Sequence, residues 1–321
     1  MCIRVKSVFQ GLYLWLGIIA MLIMLNPAIA AATETVTSAN SSVAWWIWPS
    51  SLFIVTLLMG IAAVLGGIGG AVLYVPIISG FFPFHLDFVR GTGLLVALCG
   101  SLAAGPSLLR SDLANLRLAI PIALIASTSA ILGAMIGLAV PTNIVQTLLG
   151  VIILGIVVLM FTAKKSELPV VPKADILSSA LRIHGIYTEG STGQAVNWKI
   201  HRTPLGLTLF VIIGFMAGMF GLGAGWANVP VLNMLMGAPL KISVGTSKFL
   251  LSITDTSAAW IYFNKGCVIP MIVIPSLIGI MFGSFIGVRI LKKAKPTFIR
   301  WMVIGLLTVA GLKALQTGLK I

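Results

Sequence analysis

Charged residues are absent from long stretches of this chain. No Asp, Glu, Lys or Arg occurs from Ser7 to Thr33, Thr35 to Leu86, Gly91 to Leu109, Leu118 to Ala163, Thr203 to Leu240 or Gly266 to Val288. Each run is about 19 residues or longer, enough for one helix to cross the hydrocarbon core of a bilayer. The runs lack the strict apolar–polar alternation of a transmembrane barrel. The pattern predicts an all-α polytopic membrane protein. Trp46–Phe82 is expected to enter the membrane and return, broken near Gly66-Gly67-Ile68-Gly69-Gly70. Gly91–Leu109, Leu118–Val140 and Asn143–Phe161 follow as passes, with a turn at Pro141-Thr142. Pro204–Met236 should cross and return in the same way. Phe249–Phe263, Val268–Ile290 and Phe298–Gln316 complete the set.

Composition excludes a soluble enzyme. The 321 residues are 59% apolar and 9% charged, against about 25% charged in a soluble chain. The net charge of +14 does not point to nucleic acid, because the positives sit in short loops between apolar runs. With the passes above, all 21 Lys and Arg except Arg90, Lys265, Lys313 and Lys320 fall on one side, which marks it as cytoplasmic. Residues 1–30 read as a signal segment or as a first span, with Arg4 and Lys6 before an apolar run and Ala28-Ile29-Ala30 after it. Residues 45–163 and 204–318 then form two membrane units, joined by a cytoplasmic loop at 164–203. Within that loop, Arg182–Thr188 and Ala195–Arg202 flank a turn-rich stretch and predict a small β-hairpin.

The two membrane units repeat. At an offset of 154 residues, Gly60 falls on Gly214, Gly67 on Gly221, Gly69 on Gly223 and Val75-Pro76 on Val229-Pro230. Gly91-Thr92 falls on Gly245-Thr246, Pro121 on Pro275 and Gly133 on Gly287. Shared apolar composition does not place Gly and Pro in step. The first unit starts outside and ends inside, and the second does the reverse. The expectation is two inverted repeats with broken helices, an architecture whose binding site lies near the midplane.

Three features could carry chemistry. The Gly-rich stretches around Gly67 and Gly69, and around Gly221 and Gly223, can free backbone groups to face a ligand, or can serve close helix packing. Gly91-Thr92-Gly93 and Gly245-Thr246-Ser247 each open an apolar run. They are expected at helix N-termini, as anion sites or as plain caps. Asp255 is the one carboxylate inside an expected pass, with Lys248 two turns earlier on the same helix face. Buried charge in a bilayer marks function by default. Lys248 could neutralise an anion or snorkel to the interface, and Asp255 could relay a proton or bond a neighbouring helix. Asn228, Trp226 and Tyr74 could line the same place. Arg90 has a weaker claim, as a residue that marks a helix end.

Enzyme chemistry finds little support. His85, His184 and His201 all fall in loops, so no Ser–His pair is expected at membrane depth. Cys2, Cys99 and Cys267 are too scattered for a disulfide framework or a metal site. No cofactor or metal is expected.

A Gly-rich stretch, a Val-Pro and a Gly-Thr-Ser start, given twice, resembles the TauE/SafE family of sulfite exporters and related anion permeases. The likeness covers residues 50–163 and 204–318. Gly93 stands where the pattern usually has Ser. The resemblance implies a multi-pass permease of the cell inner membrane, exporting sulfite, sulfonates or other small sulfur-containing or organic anions, with proton coupling. Its expected partners are that anion, the lipid bilayer and further copies of the chain. A non-transporting scaffold, docking through the cytoplasmic loop, is the alternative.

Overall fold

The computed structural model describes residues 46–65, 69–110, 113–162, 171, 174–188 and 195–291, together with helical positions between 304 and 319. Residues 1–45, with the signal or first span, lie outside them, as do Gly66, Gly67 and Ile68.

The first unit begins with α1 (Ile47–Leu65) and α2 (Gly70–Phe81). The chain returns as expected: the Trp48 ring, at the start of α1, lies 5.8 Å from both Phe82 and Phe84, just past the end of α2. Three helices follow, α3 (Leu86–Arg110), α4 (Leu116–Ala139) and α5 (Thr142–Thr162). Asn115 caps α4 by accepting the Leu118 N–H. The linker carries a short helix, α6 (Ile176–Ala180), and the expected hairpin, β1 (His184–Thr188) antiparallel to β2 (Ala195–Lys199). His184 faces Lys199 and Ile186 faces Asn197 across it.

The second unit repeats the order. α7 (Thr203–Phe220) stops at the break. α8 (Gly225–Pro230) continues into a π-helical turn, Val231–Leu235. Pro230 offers no N–H, and the ladder beyond it widens: the Met236 N–H reaches the Val231 carbonyl at 3.0 Å. The His201 N–H then donates to the Met236 carbonyl, so this segment also ends where it began. α9 (Leu240–Asn264) and α10 (Pro270–Leu291) follow. Among the described residues, α1, α3, α4, α7 and α10 contain segments long and apolar enough to cross a membrane. The outside of the bundle agrees. Ile54 and Leu58 of α1, Leu124 and Leu132 of α4, and Phe282 of α10 are all exposed, as lipid-facing residues would be.

The units are interlocked. α1 packs along α10 and α7 along α4, each through small residues that let backbones touch. A Cβ at Gly60 would meet the Ile280 carbonyl and Gly283, while one at Gly214 would meet the Ala126 carbonyl and Ser129. A Cβ at Gly133 would strike the Phe215 carbonyl, and one at Gly287 would meet Ile61. The 154-residue offset carries the pair Gly60–Gly283 onto Gly214–Ser129, and Gly133–Phe215 onto Gly287–Ile61. The offset therefore aligns contacts as well as letters.

Candidate transport site

The second break is formed by Gly221 and Gly223, both left-handed at φ 66° and 67°. An L side chain rarely adopts that conformation. Both positions are also closed sterically. A Cβ at Gly221 would strike Arg90, and one at Gly223 would sit 2.8 Å from the Asp255 carboxylate. The break then descends to Gly225, whose missing side chain leaves room for Gly69 and Leu251. Gly69 is the described end of the first break. The two breaks therefore touch in the middle of the bundle, against the midpoint of α9.

α9 supplies the charges. Lys248 and Asp255 bound its middle third, about 10 Å apart along the axis. Both are buried, at 3% and 0% exposure, and their charges act on each other. The Ala224 N–H of the break approaches the Asp255 carboxylate, though neither carboxylate oxygen has a well-formed hydrogen bond. Asn228 lies three residues beyond Gly225, and Ser247 four residues before Leu251. With a rise of about 1.5 Å per residue the two stand at similar depth. Neither polar atom of the buried Asn228 side chain has a partner, nor does the Ser247 hydroxyl. The Trp226 Nε1 and the Thr254 hydroxyl are likewise buried without partners. Such groups are costly in a core unless something fills their valences.

From the first unit, Tyr74 of α2 brings its hydroxyl to the Ser276 hydroxyl, 3.2 Å away, and towards Thr92. Gly93 lies beside it, where a Cβ would meet Val75 and the Gly221 carbonyl. The second break thus packs directly on α3.

One expectation is corrected. The Gly-Thr pairs are not helix starts. α3 begins at Leu86 and α9 at Leu240, so Gly91, Thr92, Gly245, Thr246 and Ser247 lie inside helices and their N–H groups belong to the helical ladder. Gly91 and Gly245 instead admit a loop. A Cβ at Gly91 would meet the Cys267 carbonyl, and one at Gly245 would strike the Leu113 carbonyl, positions again 154 apart. The Thr246 hydroxyl accepts the Asn115 N–H at 3.1 Å, holding the cap of α4. Of that motif, the Thr92 and Ser247 hydroxyls are buried within their helices without a hydrogen-bond partner.

Sequence reasoning undervalued Arg90. It is fully buried on α3 and donates to Asp87 at 2.9 Å, to the Gly137 carbonyl of α4 at 3.1 Å and to the Met219 carbonyl of α7. Its guanidinium also sits 5.3 Å from the Tyr262 ring centre. The available signal was an i,i+3 Asp–Arg pair in a stretch with almost no other charge. Among the described residues, no group of three or more His, Cys, Asp or Glu could hold a metal.

The comparisons with known proteins fit this arrangement. The family model for sulfite exporter TauE/SafE matches residues 52–314. The chain is 25% identical over 276 residues to the "Probable membrane transporter protein MJ0441" of Methanocaldococcus jannaschii, covering 81% of this chain and 93% of that one. It is 25% identical over 240 residues to the "Probable membrane transporter protein ORF9" of Sinorhizobium sp, covering 74% and 81%. Its match to the "Probable membrane transporter protein YunE" of Bacillus subtilis is 24% identical over 119 residues, 37% of this chain, and spans only 44% of that protein's length. No solved structure matches the chain. A multi-pass helical bundle with two touching helix breaks, matched by that model over most of its length, belongs to the sulfite exporter TauE/SafE family of membrane transporters.

Proposed function

We propose that this transporter exports a small oxyanion, such as sulfite or a short sulfonate, across the cytoplasmic membrane. The contact of the two breaks, Gly69 against Gly225, beside buried Lys248 and the unpartnered Asn228 and Ser247 side chains, carries this reading. The anion's charge is balanced by Lys248. Its oxygens accept from Asn228 Nδ2, from the Ser247 hydroxyl and from backbone N–H groups freed at the Gly221–Gly223 break, with Thr92 on the opposite wall. A cation and several hydrogen-bond donors buried near the contact of the breaks suit a compact anion. Asp255 faces the same break and carries the coupling proton. The two units are inverted repeats, and they rock about the site to expose it to each side in turn.

Thermal unfolding of the purified protein tests the site. Sulfite or sulfoacetate at a hundred times its dissociation constant should stabilise by about 2.7 kcal/mol. Lys248→Met should abolish that gain. Equal stabilisation of parent and variant, or none of either, overturns the reading.

A further inference from the structure

The offset of 154 matches Asn228 with Tyr74, Ser247 with Gly93 and Ile122 with Ser276. All six residues are buried. Tyr74 lies five residues along the chain from Gly69, and Asn228 three from Gly225, so each stands about one helical turn from the contact of the breaks.

In the first unit the polar groups at these positions satisfy each other. Ser276 gives its proton to the Ile272 carbonyl at 2.7 Å, so its oxygen accepts from the Tyr74 hydroxyl 3.2 Å away. The packing beside the ring is equally full. A Cβ at Gly93 would meet Val75, the Gly221 carbonyl and the edge of the Tyr74 ring. The hydroxymethyl group that Ser247 carries in the second unit therefore has no room here. In the second unit each part of this seal is exchanged. Asn228 stands in place of the ring, and Ile122 brings no polar atom in place of the Ser276 hydroxyl. Both polar atoms of Asn228 and the Ser247 hydroxyl are left without a partner. Buried groups of that kind are costly until something completes them, whereas a bonded phenol needs nothing further.

We infer that Tyr74 is the specificity-determining residue of this transporter: its ring plugs the first unit's copy of the anion pocket, so that each chain holds one small anion, on the Asn228–Ser247 side of the breaks. The inference rests on the inverted-repeat reading and on the anion site proposed above. It adds a size limit. The Tyr74 ring and the Gly221 carbonyl close on one point at Gly93, so the plug abuts the second break. A longer tail on the anion runs into the ring there.

The test uses two anions and a thiol label. Radiolabelled sulfite bound to the purified protein is counted by equilibrium dialysis, with butane-1-sulfonate titrated as its competitor. The parent should bind one sulfite per chain and discriminate against the longer anion. Tyr74→Ala should move the ratio of the two affinities about tenfold toward butane-1-sulfonate, the scale on which a pocket tells one methylene from none. Tyr74→Phe keeps the ring without its hydroxyl and should keep the parent's ratio. An unmoved ratio in Tyr74→Ala, an equal shift in Tyr74→Phe, or two sulfites per parent chain overturns the plug. The label needs no substrate. Cys2, Cys99 and Cys267 are replaced by alanine, and Ser276→Cys, at the tip of the ring, is offered to a small methanethiosulfonate. Reaction should be slow in the parent and in Tyr74→Phe, and about tenfold faster in Tyr74→Ala. Equal rates in all three overturn the plug. If Tyr74→Ala does not fold, the shorter side chain of Tyr74→Leu carries the same expectations. A parent that binds neither anion sinks the proposed function, and the labelling rates then decide the plug alone.

Discussion

Gly223 shows how tightly the site is specified. Its left-handed backbone and its contact with Asp255 both exclude a side chain. Gly223→Ala should cost about 1–2 kcal/mol for the backbone alone. It should also push the carboxylate away, so transport should fall further than stability does. Melting temperature and anion flux measured on the same preparation check this. Asp255→Asn keeps the shape of the side chain and removes its proton exchange. The expected result is a flux that no longer responds to an imposed pH gradient, while anion binding persists. The sequence exposed Asp255 and Lys248 because charge is rare in this chain. It could not expose Asn228 or Ser247 as unpartnered. Their state depends on which neighbours fail to bond them, and that is decided by the packing of α8 on α9.

At the scale of elements, charge-free runs located the helices well and their starts poorly. The α1–α2 and α7–α8 returns, the turn at Pro141 and the hairpin at 184–199 all lie where the sequence placed them. α3 and α9 begin earlier than expected: Asp87 and Lys241, which the charge-free runs leave in loops, fall inside the helices, and so does Arg90, expected to mark a helix end. A helix tolerates such residues when they are paired or face a polar interior, as Arg90 and Lys248 do. That misreading displaced Thr246. Its hydroxyl holds the cap of α4, so Thr246→Val should lose about 1–3 kcal/mol of stability before any effect on anion affinity. Thermal unfolding with and without sulfite separates the two. The linker has its own clasp. Asp175 accepts from Ser178 and from both the N–H and the hydroxyl of Thr203, fixing α6 to the start of α7. Burial pushes the Asp175 carboxyl up, but these hydrogen bonds outweigh it and hold the carboxyl below its ordinary value. A depressed value stabilises above the unfolded pKa of about 3.9 and is lost as pH falls through the folded one. Asp175→Asn should therefore make the linker more open to protease at neutral pH. The difference from the parent should close in strong acid.

At the scale of the whole molecule, the repeat was legible because Gly and Pro punctuate both units at one offset. What remained hidden was the exchange of partners. α1 lies on α10 and α7 on α4, so each unit borrows its first helix's neighbour from the other. Sequence spacing carries no such information, since the contacts join residues far apart in the chain. The interlocking brings the breaks together at Gly69 and Gly225, and it makes the site a property of the pair of units. The most direct test of that claim is flux through purified protein in sealed liposomes, with radiolabelled sulfite or sulfoacetate inside and a proton gradient imposed. Release driven by the gradient, abolished by Gly225→Val at the contact of the breaks and by Lys248→Met beside it, is the predicted result. Release that matches empty liposomes, or that survives both substitutions, contradicts the account.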